Sequence, residues 1–527
     1  MIMDQAALNS GEITVTGEKE NLVTRDNIYL LIGAIILGGI FNFLFYKKGL
    51  GISYPIFVLV LYGVIIFNLR DKIEFKISFE TILTVPIILL SLTYLIFSNY
   101  VFWFLNFMII PALIFAQTVL ITKNNYYKWF DPRFIFDLLI AIFVRTLNYM
   151  YKPIILLSQI KKRNIESDKK ASVVTKVIIG LLISVPLVFV VIILLSEADK
   201  VFEYWIDSFV RRFINLNLAD FIAQLIIGVF VCLTAFSYLW SLRNDKDKDF
   251  CKSIGDNFRV KKILDPIIVL TVLITVNMIY VVFTVIQFSY LFGSISSLLP
   301  EGVTYAEYAR RGFFELVAVT IINVSILIGI INLTKIENLI ISGILKIMNS
   351  CLVACTMVML LSAHFRMSLY EQEYGYTYLR VFTHAFMLFI FAILVVTLIK
   401  VWKENFCLIK SYIVISIIAY LAINFFNVDV FIADNNIKRY KADNSKTIDT
   451  EYLSNLSNDA VPYLVKLLDD KNEEVVKDVK YVLNSRKKRL ESKKDWQSFN
   501  ISDFRAKNVL EKYNFEDKKQ ENMGILQ

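Results

Sequence analysis

Histidine is nearly missing from this chain: 527 residues hold only His364 and His384. Cysteine (five), proline (nine) and glycine (18) are also sparse. Cys351 and Cys355 stand one helical turn apart with no second pair to complete a zinc site or a disulfide framework. With Cys232, Cys251 and Cys407 they read as small packing residues in or beside apolar segments. Several signatures are absent altogether: a Walker A loop, a Gly-x-Gly-x-x-Gly behind a strand, a Gly-x-Ser-x-Gly elbow and a zincin motif. No cofactor is expected, and any energy source must be an ion gradient or a partner subunit. A basic leader is lacking too. Some 26 polar residues, Asp4, Glu12, Glu18 and Glu20 among them, precede the first apolar block, which is not the pattern of a signal peptide. Paired Gly/Pro-interrupted spans in two similar halves, the usual mark of an inverted-repeat transporter, are not visible. Pro86, Pro111 and Pro186 are ordinary kink positions for membrane helices.

What the chain has in excess is apolar surface. Hydrophobic residues make up 56% and mean hydropathy is +0.57, against roughly 45–50% apolar in soluble domains. The excess falls in blocks of about twenty residues, the length that crosses a hydrocarbon core. These predict an all-α fold: a polytopic transmembrane bundle of about eleven spans with a small helical C-terminal soluble region. The spans fall at 27–46, 52–68, 79–97, 100–122, 172–196, 218–241, 264–292, 312–333, 339–363, 378–400 and 406–426. The 42 Phe and 27 Tyr crowd the block ends, as an interfacial aromatic belt requires.

Segment 134–158 is apolar, yet Asp137, Ala141, Arg145, Asn148 and Lys152 recur at helical spacing as a polar stripe. Both flanks are basic, so it reads as an amphipathic helix lying on the membrane. A similar short helix is expected over 199–214. The chain thus divides into a polar 1–26, a first transmembrane group 27–122 and a cytoplasmic basic and amphipathic segment 123–171. A second transmembrane group 172–426, a helical tail 427–510 and a disordered end 511–527 follow.

The net charge is +9, but the basic residues sit in loops between apolar blocks. They argue for orientation and contact with anionic lipid rather than for nucleic acid. Alternate loops differ sharply: Arg70, Lys72, Lys76, Lys161, Lys162, Arg163, Lys261 and Lys262 belong to the richer set. That set should be cytoplasmic, with the N-terminus inside and the tail outside. Lys438, Arg439 and Lys441, close after the last span, pull the other way. In the tail, 459–469 and 472–490 read as two amphipathic helices resembling one unit of a helical-repeat array. One unit cannot bury its apolar face alone, so it must dock on the membrane domain or on a partner.

Polar groups at membrane depth are costly and mark function. Two clusters stand out, and in this topology both face outward. Glu307, Arg311 and Glu315 are spaced by four on the helix entering the eighth span, with Arg310 beside them. The second cluster runs from His364 through Arg366, Glu371, Glu373, Tyr376 and Arg380 to His384. Three readings fit: helix ends fastened by mutual pairing, a pocket for a small anionic or zwitterionic ligand with arginines as donors, or an acid–base site. For the last, Glu315 with His384 is the pair to test. Two histidines without ligand spacing are weak metal evidence, and no metal is expected. A shared pocket would bring Arg311 or Glu315 within reach of the second cluster.

The run Tyr305-Ala-Glu-Tyr-Ala-Arg-Arg-Gly-Phe-Phe-Glu-Leu316 resembles the signature of a bacterial family of polytopic membrane proteins. It is catalogued as domain of unknown function 4173, with a sister numbered 4153. Tyr374-Gly-Tyr-Thr-Tyr-Leu-Arg380 is similar to its second signature. Asn427-Val-Asp-Val-Phe-Ile-Ala433 with Asn436-Ile-Lys-Arg-Tyr440 is similar to its third. Asp459-Ala-Val-Pro462, Trp496 and Asn500 fit as well, whereas Val428 stands where proline is expected. The resemblance implies a bacterial cell membrane and supplies no reaction. The chain is therefore expected to be a non-enzymatic transport, sensing or envelope-regulation protein in contact with the bilayer and with a membrane or envelope protein partner. The alternative is a membrane-embedded enzyme acting on a lipid-linked envelope substrate.

Overall fold

Long apolar segments have one way to satisfy their backbone in lipid, which is to bond each N–H internally along a helix. The computed structural model follows that rule. It describes residues 22–74, 76–164, 184, 188, 191–192, 194–206, 218–244, 262–335 apart from 293–312, 338–443, 446–493 and 495–515. Among them the only β-type pairing is an isolated bridge between Leu264 and Thr334.

Ten helices among the described residues are long and apolar enough to cross a membrane. We number them together with a shorter apolar helix, Ser53–Leu69. They are α1 (Arg25–Phe45), α2 (Ser53–Leu69), α3 (Phe79–Ile96), α4 (Tyr100–Ile121), α5 (Phe134–Ile160) and α6 (Leu218–Arg243). Then come α7 (Pro266–Phe292), α8 (Phe313–Leu333), α9 (Leu339–Tyr374), α10 (Tyr378–Trp402) and α11 (Leu408–Phe425). The tail adds α12 (Val428–Ala442), α13 (Thr450–Ser454), α14 (Val461–Leu464), α15 (Glu473–Ser492) and α16 (Ile501–Leu510). The chain is thus a polytopic helical bundle with a helical tail. Most of the expected span 172–196 and half of 199–214 fall outside the described residues, as does the end from 516.

Helix α5 differs from its sequence reading. By length and composition it qualifies as a span, but a π-helical stretch, Ile140–Arg145, and a turn before Lys152 break it. The polar stripe does not face water as one surface. Asp137, Ala141 and Arg145 are buried while Asn148 is exposed. The reason is local for Asp137: its carboxylate accepts from the backbone N–H of Tyr126 and Tyr127 (2.9 and 2.8 Å), folding the preceding loop onto the helix.

The chain forms two compact units. In the first (residues 1–43, 63–71 and 143–244), α1 and α6 pack at glycines: a Cβ on Gly38 would lie 2.5 Å from the Gly228 carbonyl oxygen. Close approach through small residues is how membrane helices gain contact where burial from water is no longer a driving force. Asp26 pairs with Arg243 at one end (2.6 Å).

In the second unit (residues 44–62, 72–142 and 245–527), α7, α8, α9 and α10 share an apolar core through Leu273, Leu327, Leu352, Val353, Leu360 and Leu394. A polar seam ties the same helices: Tyr280 donates to Asn323 (2.8 Å), and Asn323 to Thr356 (2.9 Å). The tail docks on this unit. Its core of Val428, Ile432, Leu453, Val461, Leu464, Leu483 and Leu510 is continuous with Phe102 of α4 and Val381 of α10. Polar anchors fix it in register: Asn500 donates to the carbonyls of Tyr94 and Phe97 (2.7 and 2.6 Å), at the end of α3.

Candidate functional site

At about 1.5 Å per residue the 36 residues of α9 extend about 54 Å, against a hydrocarbon core of about 30 Å. Its last turns therefore run past the core, toward the tail. Gly375 ends the helix at φ 83°, a conformation that glycine adopts without a Cβ penalty. A Cβ there would also meet the Asn436 side-chain oxygen at 2.6 Å. The tight reversal sets α10 beside α9 and brings the two histidines together.

Nδ1 of His384 lies 2.8 Å from Nδ1 of His364, and Nε2 of His384 lies 3.1 Å from Oε2 of Glu371. Carboxylate and two imidazoles form a continuous chain of hydrogen bonds, able to pass a proton from one end to the other. Glu371 is 5% exposed, and its Oε1 has no partner among the described residues.

The chain closes one end of a cavity of about 840 Å³. Below it the walls are apolar and run at helical spacing. Val381, His384, Ala385, Leu388, Phe389 and Ala392 come from α10; Ile415, Ile418, Ala419, Ala422, Ile423 and Phe426 face them from α11. The α11 wall is about 16 Å long at helical rise, close to half a hydrocarbon core, or one leaflet. Leu388 and Ile418 are 64% and 59% exposed, so the groove is open along its side. Tyr376 and Phe431 cover its polar end. Burial, and next Glu371, push the Tyr376 hydroxyl above its ordinary pKa, which keeps it a neutral donor.

The other expected site residues are distributed differently. Glu307, Arg310 and Arg311 lie outside the described residues. Glu315 is exposed on α8 and makes no ion pair among the described residues. Arg366 turns away from the cavity and donates to Gln287 of α7 (3.1 Å), which also accepts from Ser362 (2.6 Å). Arg380 caps α9: it donates to the carbonyls of Tyr374 (3.1 Å) and Gly375 and stacks on the Tyr370 ring at 4.4 Å. Glu373 pairs with Lys446 of the tail (3.6 Å). Of the candidates, His364, Glu371, Tyr376 and His384 meet at the cavity. Sequence reasoning missed Ser368, Gln372 and both apolar walls; the alanines at 385, 392, 419 and 422 were the available signal.

A second buried network fastens the tail. Asp429 accepts from Asn99 (2.6 Å), from the Ser457 backbone N–H (2.9 Å) and from the Tyr378 hydroxyl. Asp459 accepts from the backbone N–H and hydroxyl of Ser98 (2.9 and 3.2 Å) and from Asn427 (3.2 Å). Arg486 donates to the carbonyls of Ser454, Leu456 and Ser457. Burial lowers its pKa to about 10.

The apolar helices define an integral, multi-pass membrane protein. Residues 84–467 match the family described as "Domain of unknown function (DUF4153)". The match covers most of the chain, which belongs to that family. It falls on the sister of the family resembled most in the sequence runs. No curated protein and no solved structure matches the chain.

Proposed function

We propose that this chain binds an amphiphile, a lipid or lipid-linked molecule, with its tail between α10 and α11 and its polar head at His364, His384 and Glu371. The observation that carries this is the division of one cavity. Its walls are aliphatic for about one leaflet's depth, and its end is a hydrogen-bonding chain under a tail-capped roof. A small anionic or zwitterionic solute would leave the walls unfilled, so the ligand expected from sequence becomes the head of a larger molecule. Transport, sensing or regulation of the envelope would each use such a site.

Native mass spectrometry of the protein taken from nanodiscs of defined lipid mixture tests the reading. We expect one lipid class retained above its bulk fraction, and that enrichment lost when Ala392→Trp and Ala419→Trp fill the groove. Retention matching bulk composition in both proteins would defeat the proposal. Recovery of a chemically altered lipid would instead mark a lipid-modifying enzyme.

The same reading sets the faces. Asn99 and Tyr378 hydrogen-bond (3.1 Å), so an even number of crossings separates them. Helices α4, α6, α7, α8 and α9 supply five, and one more is needed. In the first unit Gln159 accepts from the Leu22 N–H (2.8 Å) and the Lys152 ammonium sits over the Trp240 ring (5.6 Å). Both contacts lie at the end where Asp26 meets Arg243. The end of α5 therefore lies beside the ends of α1 and α6, and the span expected from sequence at 172–196 would supply the sixth crossing. Charge bias then supports a cytoplasmic N-terminus and an outer tail in a cell membrane.

A further inference from the structure

The polarity of the imidazole chain restricts what the head of the ligand can be. This step rests on the groove reading above. As a carboxylate, Glu371 offers only lone pairs, so the Nε2 of His384 that it meets at 3.1 Å carries the proton. With Glu371 ionised and both imidazoles neutral, Nδ1 of His384 is then a bare acceptor. It faces Nδ1 of His364 at 2.8 Å, so that nitrogen must carry the second proton. The remaining nitrogen of His364, Nε2, is left with a lone pair. It makes no hydrogen bond to any described residue, and His364 lines the cavity. Each assignment forces the next, because a neutral imidazole has one donor and one acceptor.

We infer that His364 Nε2 is a proton-accepting contact and that the bound amphiphile carries a proton-donating head, a hydroxyl or a primary ammonium. Such selection works by leaving a site group unpaired when the donor is absent. A head bearing only ether oxygens or a quaternary ammonium has no proton to give. His384 and Glu371 are positioning residues: they set the tautomer of His364 through their hydrogen bonds.

The test uses the full-length protein in nanodiscs and two lipid pairs. The first is a diacylglycerol against its 3-O-methyl ether; the second is phosphatidylethanolamine against phosphatidylcholine. Retention is read by native mass spectrometry. We expect the donor-bearing member of at least one pair to be preferred by roughly three- to tenfold, the range of one net hydrogen bond. Preference in the first pair identifies a hydroxyl head, and preference in the second an ammonium head. His364→Phe should keep the retained lipid and lose the preference. Glu371→Leu should lose it too, whereas Glu371→Gln, whose amide oxygen still accepts from His384, should keep most of it. A purely structural Glu371 would not separate those two variants. Equal retention within both pairs, preference for the ether or the choline lipid, or unchanged preference in His364→Phe would overturn the inference while leaving the groove reading intact. Retention no different from bulk would defeat the groove reading, and this inference with it.

Discussion

Asp459 shows how one residue can tie the tail to the membrane domain at an electrostatic cost. Its carboxylate is held by Ser98, Ser457 and Asn427, yet desolvation by burial raises its pKa above the ordinary 3.8. The native state therefore holds this proton more tightly than the unfolded chain does. The associated stability is complete below about 3.8 and is lost as pH rises through the elevated native value. Each unit of separation between the two states is worth about 1.4 kcal/mol. In thermal unfolding between pH 4 and 7, the wild-type chain should lose stability with rising pH relative to Asp459→Asn. Parallel pH profiles would refute this. Sequence made Asp459 visible as part of a family-like run but gave it no role. Its partner on the membrane domain, Ser98, lies 361 positions away, and no local pattern encodes such a pairing. His364 and His384 were legible as unusual residues. That their ring nitrogens meet depends on the reversal at Gly375 and on the register of α9 against α10.

At the scale of elements, apolar length alone located nearly every helix, because lipid leaves the backbone no alternative. Helix and span need not end together. The span expected over 339–363 lies within α9, which continues past it to Tyr374 with polar residues that face the cavity or pair with the tail. The stripe on 134–158 was read as one wet face, but part of it is buried. Glycines in α1 carry a sharper lesson. A Cβ on Gly38 would lie 2.5 Å from the Gly228 carbonyl oxygen, while one on its neighbour Gly39 would meet nothing within 4 Å. Gly38→Ala should therefore cost about 1–3 kcal/mol through forced separation of α1 and α6. Gly39→Ala should stay within about 0.5 kcal/mol. Unfolding midpoints of the two variants in the same detergent check this, and equal midpoints would show that the helices do not meet through Gly38.

For the whole molecule, the docked tail places α12 to α16 on the face that carries Asn99, Gly375 and Asn427. With the basic loops inside, an Asp469→Cys tail should react with a membrane-impermeant maleimide in intact cells, above the background of the unmodified chain. An Asn125→Cys loop should react only after permeabilisation. The reverse pattern would invert the orientation.

The sequence by itself determined the bundle, its approximate spans and the helical tail, since bilayer thickness and internal hydrogen bonding translate directly into runs of apolar residues. It also marked the two histidines and Glu371 as unusual. Only tertiary structure decided that these three form one chain at the end of an apolar groove, that Arg366 and Arg380 serve other helices, and that the tail closes over the site. Those outcomes depend on which faces of distant helices meet, and side-chain contacts between segments hundreds of residues apart leave no period in the chain that could be read.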